Sequence, residues 1–171
     1  MENLRKMIRD VPDFPKKGII FKDITPLLGN KETFSETIDL LAAKVASEEP
    51  DVIIGVESRG FIFAAPLAYK LNAGFVPVRK KGKLPYKTHK VEYALEYGID
   101  ILEIHQDAFP EGAKVVIVDD LLATGGTCLA VIDLVKKLGG RISSLLFLVE
   151  LSFLNGREKL KNYTVHSLVV F

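Results

Sequence analysis

The chain has 171 residues, 48% of them hydrophobic, with 23 basic and 22 acidic side chains and a formal net charge of +1. That length supports one domain with a substantial core, and the apolar content excludes a disordered chain. The near-neutral balance excludes a global basic field for nucleic acid, so any anion binding must be local.

The opening Met1-Glu2-Asn3-Leu4-Arg5-Lys6 lacks a following apolar core, which speaks against a signal peptide, and no apolar run is long enough to span a bilayer. With a single cysteine, these features point to the cytoplasm. Leu4 to Ile8 reads as a short helix ended by Val11-Pro12. From Asp13 to Leu27, the prolines at 12, 15 and 26 and Gly18 argue against a helix and leave extended backbone, strand-like for about four residues around Phe21. Thr33 to about Ser47 has helical spacing in Phe34, Ile38, Leu41, Ala42 and Val45. Val52 to Val56 then reads as a buried strand, Glu57-Ser58-Arg59-Gly60 as its polar tip, and Phe61 to Lys70 as a helix. Ligands of open parallel sheets bind at strand carboxyl ends, where Arg59 lies. Spacing alone fits a plain surface arginine equally well.

Phe75 to Arg79 is a third strand, whose Pro77 suits a strand end or a bulge. Residues 80–90 then carry five lysines in eleven positions, a solvated surface or a patch for a polyanion. Val91, Tyr93, Leu95 and Tyr97 alternate with Glu92, Ala94, Glu96 and Gly98, the period of a strand. The stretch from about 80 to 104 therefore reads as a long mobile arm ending in a strand, and such long loops in compact domains are usually lids. His89 and His105 have neither a cysteine partner nor metal-site spacing, and read as surface histidines.

The most informative stretch is Val115-Val116-Ile117-Val118-Asp119-Asp120-Leu121-Leu122-Ala123-Thr124-Gly125-Gly126-Thr127. Four β-branched residues suit a strand buried on both faces. Small residues and hydroxyls follow the two acids, and then a helix with Cys128, Val131, Ile132, Val135 and Leu138 on one face. Cys128 reads as core filler. The loop amides and the positive helix end favour an anion, though the loop is neither a Walker A nor a dinucleotide fingerprint. Carboxylates would repel a phosphate unless they bind hydroxyls or a divalent cation; a sugar phosphate satisfies both halves. An ordinary capping turn after two acids is the alternative. Because adjacent strand residues face opposite sides, both acids reach one sugar only if the strand has ended by Asp119 or Asp120. Gly139-Gly140 ends the helix, Ile142 to Leu151 is a further strand, and Tyr163 to Phe171 closes the sheet. The whole is a doubly wound, mainly parallel α/β sheet with a small N-terminal hood over about residues 1–30.

The run Val116 to Thr127 resembles the phosphoribosyl-pyrophosphate signature of type I phosphoribosyltransferases, and flanking segments narrow the resemblance to the adenine-specific members over nearly the whole chain. That resemblance implies transfer of the phosphoribosyl group from phosphoribosyl pyrophosphate to N9 of adenine, giving AMP and pyrophosphate. It implies that Ile20, Phe21 and Lys22 hold adenine, Phe21 by stacking and its neighbours by backbone groups, with Leu121 beside them. Asp119, Asp120, Leu121, Ala123, Thr124, Gly125, Gly126 and Thr127 would hold the phosphoribosyl group and the AMP phosphate. Glu57, Ser58, Arg59, Arg79 and Lys83 would hold pyrophosphate, with a non-proline cis peptide expected in the 57–59 loop. Leu95-Glu96-Tyr97-Gly98 matches the catalytic-loop motif, making Glu96 the acid/base contact at the purine and Tyr97 part of the lid, while Arg59 and Lys83 assist the leaving group. The segment Gly156 to Leu160 resembles one with no assigned chemistry. Mg²⁺, held mainly by phosphoribosyl pyrophosphate and water, and a homodimer are also implied; no nucleic acid or membrane partner is expected. A 6-oxopurine such as xanthine or hypoxanthine is the alternative base, and a non-catalytic nucleotide sensor the alternative class.

Overall fold

The computed structural model describes residues 2–94 and 99–171. The chain forms two compact units, Met1–Leu40 and Leu41–Phe171.

In the first unit, α1 (Glu2–Lys6) precedes a two-stranded antiparallel ribbon of β1 (Arg9–Pro12) and β2 (Ile20–Asp23). Opposite charges face each other across it: Arg9 pairs with Asp23 and Lys22 with Asp10, both at 2.6 Å, the arrangement that stabilises a ribbon too short to hold itself. The strand around Phe21 is where the sequence places it, whereas β1 was expected only as the end of a helix. The exclusion of helix up to Leu27 is corrected: α2 spans Thr25–Gly29 with Pro26 in its first turn. A first-turn proline lacks only an N–H that has no helical partner anyway. Asn30 caps α3 (Lys31–Val45) by accepting from the Thr33 amide at 2.9 Å.

The second unit is built on a seven-stranded sheet of β3 (Val52–Val56), β4 (Gly74–Lys80), β5 (Thr88–Ala94), β6 (Ile99–His105), β7 (Lys114–Leu122), β8 (Arg141–Glu150) and β9 (Val165–Val170), with α4 (Gly60–Leu71), α5 (Gly126–Lys137) and the short α6 (Gly156–Lys159). The spatial order is β5-β6-β4-β3-β7-β8-β9. The pairs β3–β4, β3–β7, β7–β8 and β8–β9 are parallel, and β4–β6 and β5–β6 antiparallel. From β3 the chain moves through α4 to β4, while from β7 it moves the opposite way through α5 to β8. Between β3 and β7 the winding therefore reverses, which opens a crevice at their carboxyl ends. Val115, Ile117, Val131, Ile132 and Val135 lie in one core cluster and are at most 1% exposed, so the unbroken apolar run of β7 is buried as expected.

Two expectations about this sheet change. Pro77 lies in the interior of β4, opposite Gly55. The alternation of β4 hydrogen bonds, with the Gly74 amide and the Val78 carbonyl turned to β3, aims the proline nitrogen at the other flank. There β6 pairs only with Arg79 and Lys80, so no ladder bond is lost. The lysine-rich stretch is also more than an arm ending in one strand: β5 and β6 form a hairpin in continuous register from Thr88↔His105 to Ala94↔Ile99. Lys90 reaches the buried Glu103 at 3.0 Å, and the Lys137 amine donates to the Lys90 carbonyl at 2.8 Å. No helix among the described residues is long and apolar enough to cross a membrane.

Candidate active site

A cleft of about 460 Å³ opens at the reversal point, lined by Glu57, Ser58 and Arg59 after β3, by Asp119 to Leu121 of β7, and by Ala123 and Thr127 beyond it. A smaller hollow of about 60 Å³ adjoins it, formed by Asp119 and residues 121–128 with Phe147. The residues expected to hold a phosphoribosyl group are thus contiguous in space as well as in sequence. Gly125 adopts φ +79° and α5 starts at Gly126, so the first-turn amides, which have no acceptor within the helix, face the loop. Cys128 is 5% exposed in the core, where burial pushes its thiol up and out of the nucleophilic range.

The strand does not end before the acids, the condition set for a shared sugar. β7 continues to Leu122 and contains both carboxylates. Asp120, 6% exposed, meets the Arg59 Nε at 2.8 Å, while Asp119 is on the side of Cys128 and lines both hollows. Both nevertheless border the same cleft, because they stand at its floor on the sheet's carboxyl edge. Burial, followed by the neighbouring Asp120 charge, raises the Asp119 carboxyl well above its ordinary value. Burial also raises Asp120, and the Arg59 guanidinium pulls against that rise. Two adjacent carboxylates at the floor of one cleft suit the hydroxyls of a sugar.

The polar tip after β3 carries the expected cis peptide, between Glu57 and Ser58. Glu57 was expected at pyrophosphate, but its carboxylate accepts from Arg79 Nε and Nη2, both at 3.2 Å, and from the Lys80 amide at 2.9 Å. Burial alone would raise this acid; the Lys80 amide and the Arg79 guanidinium outweigh it and hold it below its ordinary value. Arg79 also donates to the Lys83 carbonyl at 3.1 Å. Glu57 and Arg79 therefore form a bracket that fixes the turn carrying Lys83, whose side chain is exposed.

Tyr93 was not singled out from the sequence, although the period-two pattern put it on one face with Val91. It lines the cleft together with Thr127. Asp100 is opposite Tyr93 in the hairpin and pairs with Lys80 at 3.2 Å. The lysine-rich hairpin and the loop after β7 thus border one cleft. Glu96 and Tyr97 lie outside the described residues. In the first unit, Phe21 on β2 meets Phe14 edge to face at 5.2 Å, and Ile20 is 57% exposed.

Among the described residues no three His, Cys, Asp or Glu side chains cluster to hold a metal. Glu57, Asp119 and Asp120 are the carboxylates of the cleft, and two are already engaged, Glu57 by Arg79 and Asp120 by Arg59. That set fits a cation brought by a phosphorylated substrate better than a protein-caged one.

Comparison with known proteins agrees with this geometry. The phosphoribosyl transferase domain family matches residues 25–165. An adenine phosphoribosyltransferase of Acetivibrio thermocellus is 61% identical over 170 residues, covering 99% of each chain. The crystal structure of an adenine phosphoribosyltransferase from Thermoanaerobacter pseudethanolicus superposes with a TM-score of 0.96 at 57% identity, covering 99% of both chains. That of the Saccharomyces cerevisiae enzyme, complexed with an imino-altritol bisphosphate and adenine, gives 0.94 at 42% identity, covering 98% of this chain and 97% of that one.

Proposed function

We infer the reaction from family and cleft together: the chain belongs to the adenine phosphoribosyltransferases, within the phosphoribosyl transferase domain family. It transfers the 5-phosphoribosyl group from phosphoribosyl pyrophosphate to N9 of adenine, releasing pyrophosphate and giving AMP. The single observation that carries this reading is the pair of adjacent acids beside a glycine-hinged amide loop in one cleft.

The 5′-phosphate is held by the amides of 123–127 and the hydroxyls of Thr124 and Thr127. Asp119 and Asp120 accept from the ribose hydroxyls and stabilise positive charge as the bond to pyrophosphate lengthens. Sugar hydroxyls and pyrophosphate replace the Arg59–Asp120 pair, freeing the guanidinium for the leaving group. Ser58 and Lys83 act with Arg59 there, and the Glu57–Arg79 bracket positions Lys83. Ile20, Phe21 and Lys22 recognise adenine: a donor at N6 beside an acceptor at N1 matches one C=O and one N–H of an extended strand. Glu96 exchanges the purine proton, and Tyr97 helps exclude water from a cation-like sugar. Mg²⁺ carried in by phosphoribosyl pyrophosphate would supply neutralising charge at the leaving group, with Asp119 and Asp120 of β7 as oxygen donors in the cleft. A cytoplasmic homodimer completes the reading, on the strength of the family.

The test offers Mg²⁺ and phosphoribosyl pyrophosphate with adenine, hypoxanthine, guanine, xanthine or orotate separately and follows pyrophosphate. Release with adenine alone is expected. Release with an oxopurine and none with adenine would reassign the base, and no release with any base would leave a nucleotide sensor.

A further inference from the structure

The segment from Gly156 to Leu160 takes no part in the reaction above, yet it is locked beneath the loop that does. A Cβ on Gly156 would overlap the Ala123 carbonyl oxygen and stand 2.9 Å from the Gly125 nitrogen. The fit is reciprocal, because a Cβ on Gly125 would stand 2.8 Å from the Gly156 carbonyl oxygen. Only two facing glycines let these backbones approach so closely.

A four-residue helix does not hold itself in place. Arg157 supplies the anchor. Its Nε and Nη2 fork onto the two Glu150 oxygens at 2.9 and 2.5 Å, and its Nη1 donates to the Val165 carbonyl at 3.0 Å. Ser167 Oγ closes the cluster, donating to Glu150 Oε2 at 2.6 Å and accepting from Arg157 Nη2 at 3.2 Å. Glu150 is 4% exposed and ends β8, in register with Leu122, the last residue before the loop. The Leu151 amide donates to the Leu122 carbonyl at 2.9 Å. The fork thus ties α6 to β8 and β9 at the level where β7 releases the chain.

We propose that Gly156 and Arg157 are positioning residues for the 5′-phosphate: the Arg157–Glu150–Ser167 cluster presses the Gly156 backbone against Ala123 and Gly125 and so sets the aim of the loop amides. This rests on the reading that residues 123–127 take that phosphate. Because the buttress touches the loop and not the acids, it governs ligands according to whether they carry a phosphate.

Calorimetric titration of the full chain with AMP and with adenosine, alongside a urea unfolding curve, tests this. Gly156→Ala and Arg157→Gln are expected to weaken AMP about tenfold or more while adenosine changes by less than about twofold. Arg157→Lys keeps the charge without the fork and is expected to fall between. Should Gly156→Ala fail to fold, Arg157→Lys and Ser167→Ala carry the comparison. Folded variants with wild-type AMP affinity would overturn the proposal, as would equal losses for AMP and adenosine. A wild type that binds AMP no better than adenosine would instead overturn the phosphate reading on which the proposal stands.

Discussion

The turn after β7 and the turn after β3 leave neighbouring parallel strands and border one cleft, yet they meet it with different groups. After β7 the chain offers backbone: small residues, a left-handed Gly125 and the free amides of α5. After β3 it offers side chains already engaged: Arg59 with Asp120, and Glu57 with Arg79 and the Lys80 amide. A dianionic phosphate that stays on the sugar throughout can be held by a preformed set of amides, which requires no rearrangement. A pyrophosphate that must be gripped and then released suits cations with a protein partner to return to. The first turn depends on shape, the second on exchange of partners.

Gly125→Ala should break this contrast most severely. The new Cβ meets the Gly156 carbonyl and the φ of +79° is strained for alanine, so the amides lose their aim. Turnover in a steady-state assay should fall about 10²-fold, the usual effect of a displacement near 1 Å. A loss below twofold would mean the loop is not rigid. Asp120→Asn comes next, removing the charge that Arg59 pairs with and the acceptor proposed for the sugar. The KM for phosphoribosyl pyrophosphate should rise about 10- to 100-fold, with adenine affinity within about twofold; equal losses for both would argue against the sugar assignment.

Much of this region could be read in the sequence, because β7, its acids and its loop are consecutive and their periodicities change at the boundaries. The bracket of Glu57 and Arg79 could not, since it forms only when β3 and β4 align in register and bring residues 22 positions apart together. Tyr93 sat in a visible alternation, but its pairing with Asp100 and its place beside Thr127 in the cleft depend on which way the hairpin folds. Pro26 misled because a proline forbids a helix interior but suits a helix start, and the apolar and capping signals around it are too short to decide which. The acids misled in a different way: alternation holds through Leu122, and it is the cleft's position across the strand edge that brings both carboxylates to one space.

Smaller effects sharpen the same contrast. Glu57→Gln should lower kcat about tenfold without changing AMP affinity, since the bracket serves Lys83 and not the amide loop. Because the wild-type carboxyl is held below its ordinary 4.5, its bracket persists above that pH and weakens as pH falls below it, so the gap between the two proteins should close in acid. An unchanged gap at low pH would assign the loss to another cause. Asp119→Asn should move activity and stability in opposite directions: turnover drops, while the unligated protein melts higher. The sign follows from a folded-state value raised above 3.8: ionising this carboxyl costs the folded wild type stability, and that penalty fades as pH falls from the raised value toward 3.8. A thermal scan showing equal or lower melting for Asp119→Asn at pH 7 would mean that this acid is not strained before substrate arrives.

The most direct measurement is a crystal structure of the protein grown with AMP. The expected electron density places the 5′-phosphate in the amide loop of residues 123–127 and the ribose hydroxyls against Asp119 and Asp120. Density for the nucleotide elsewhere, or for its phosphate at Arg59 with the loop empty, would contradict that assignment.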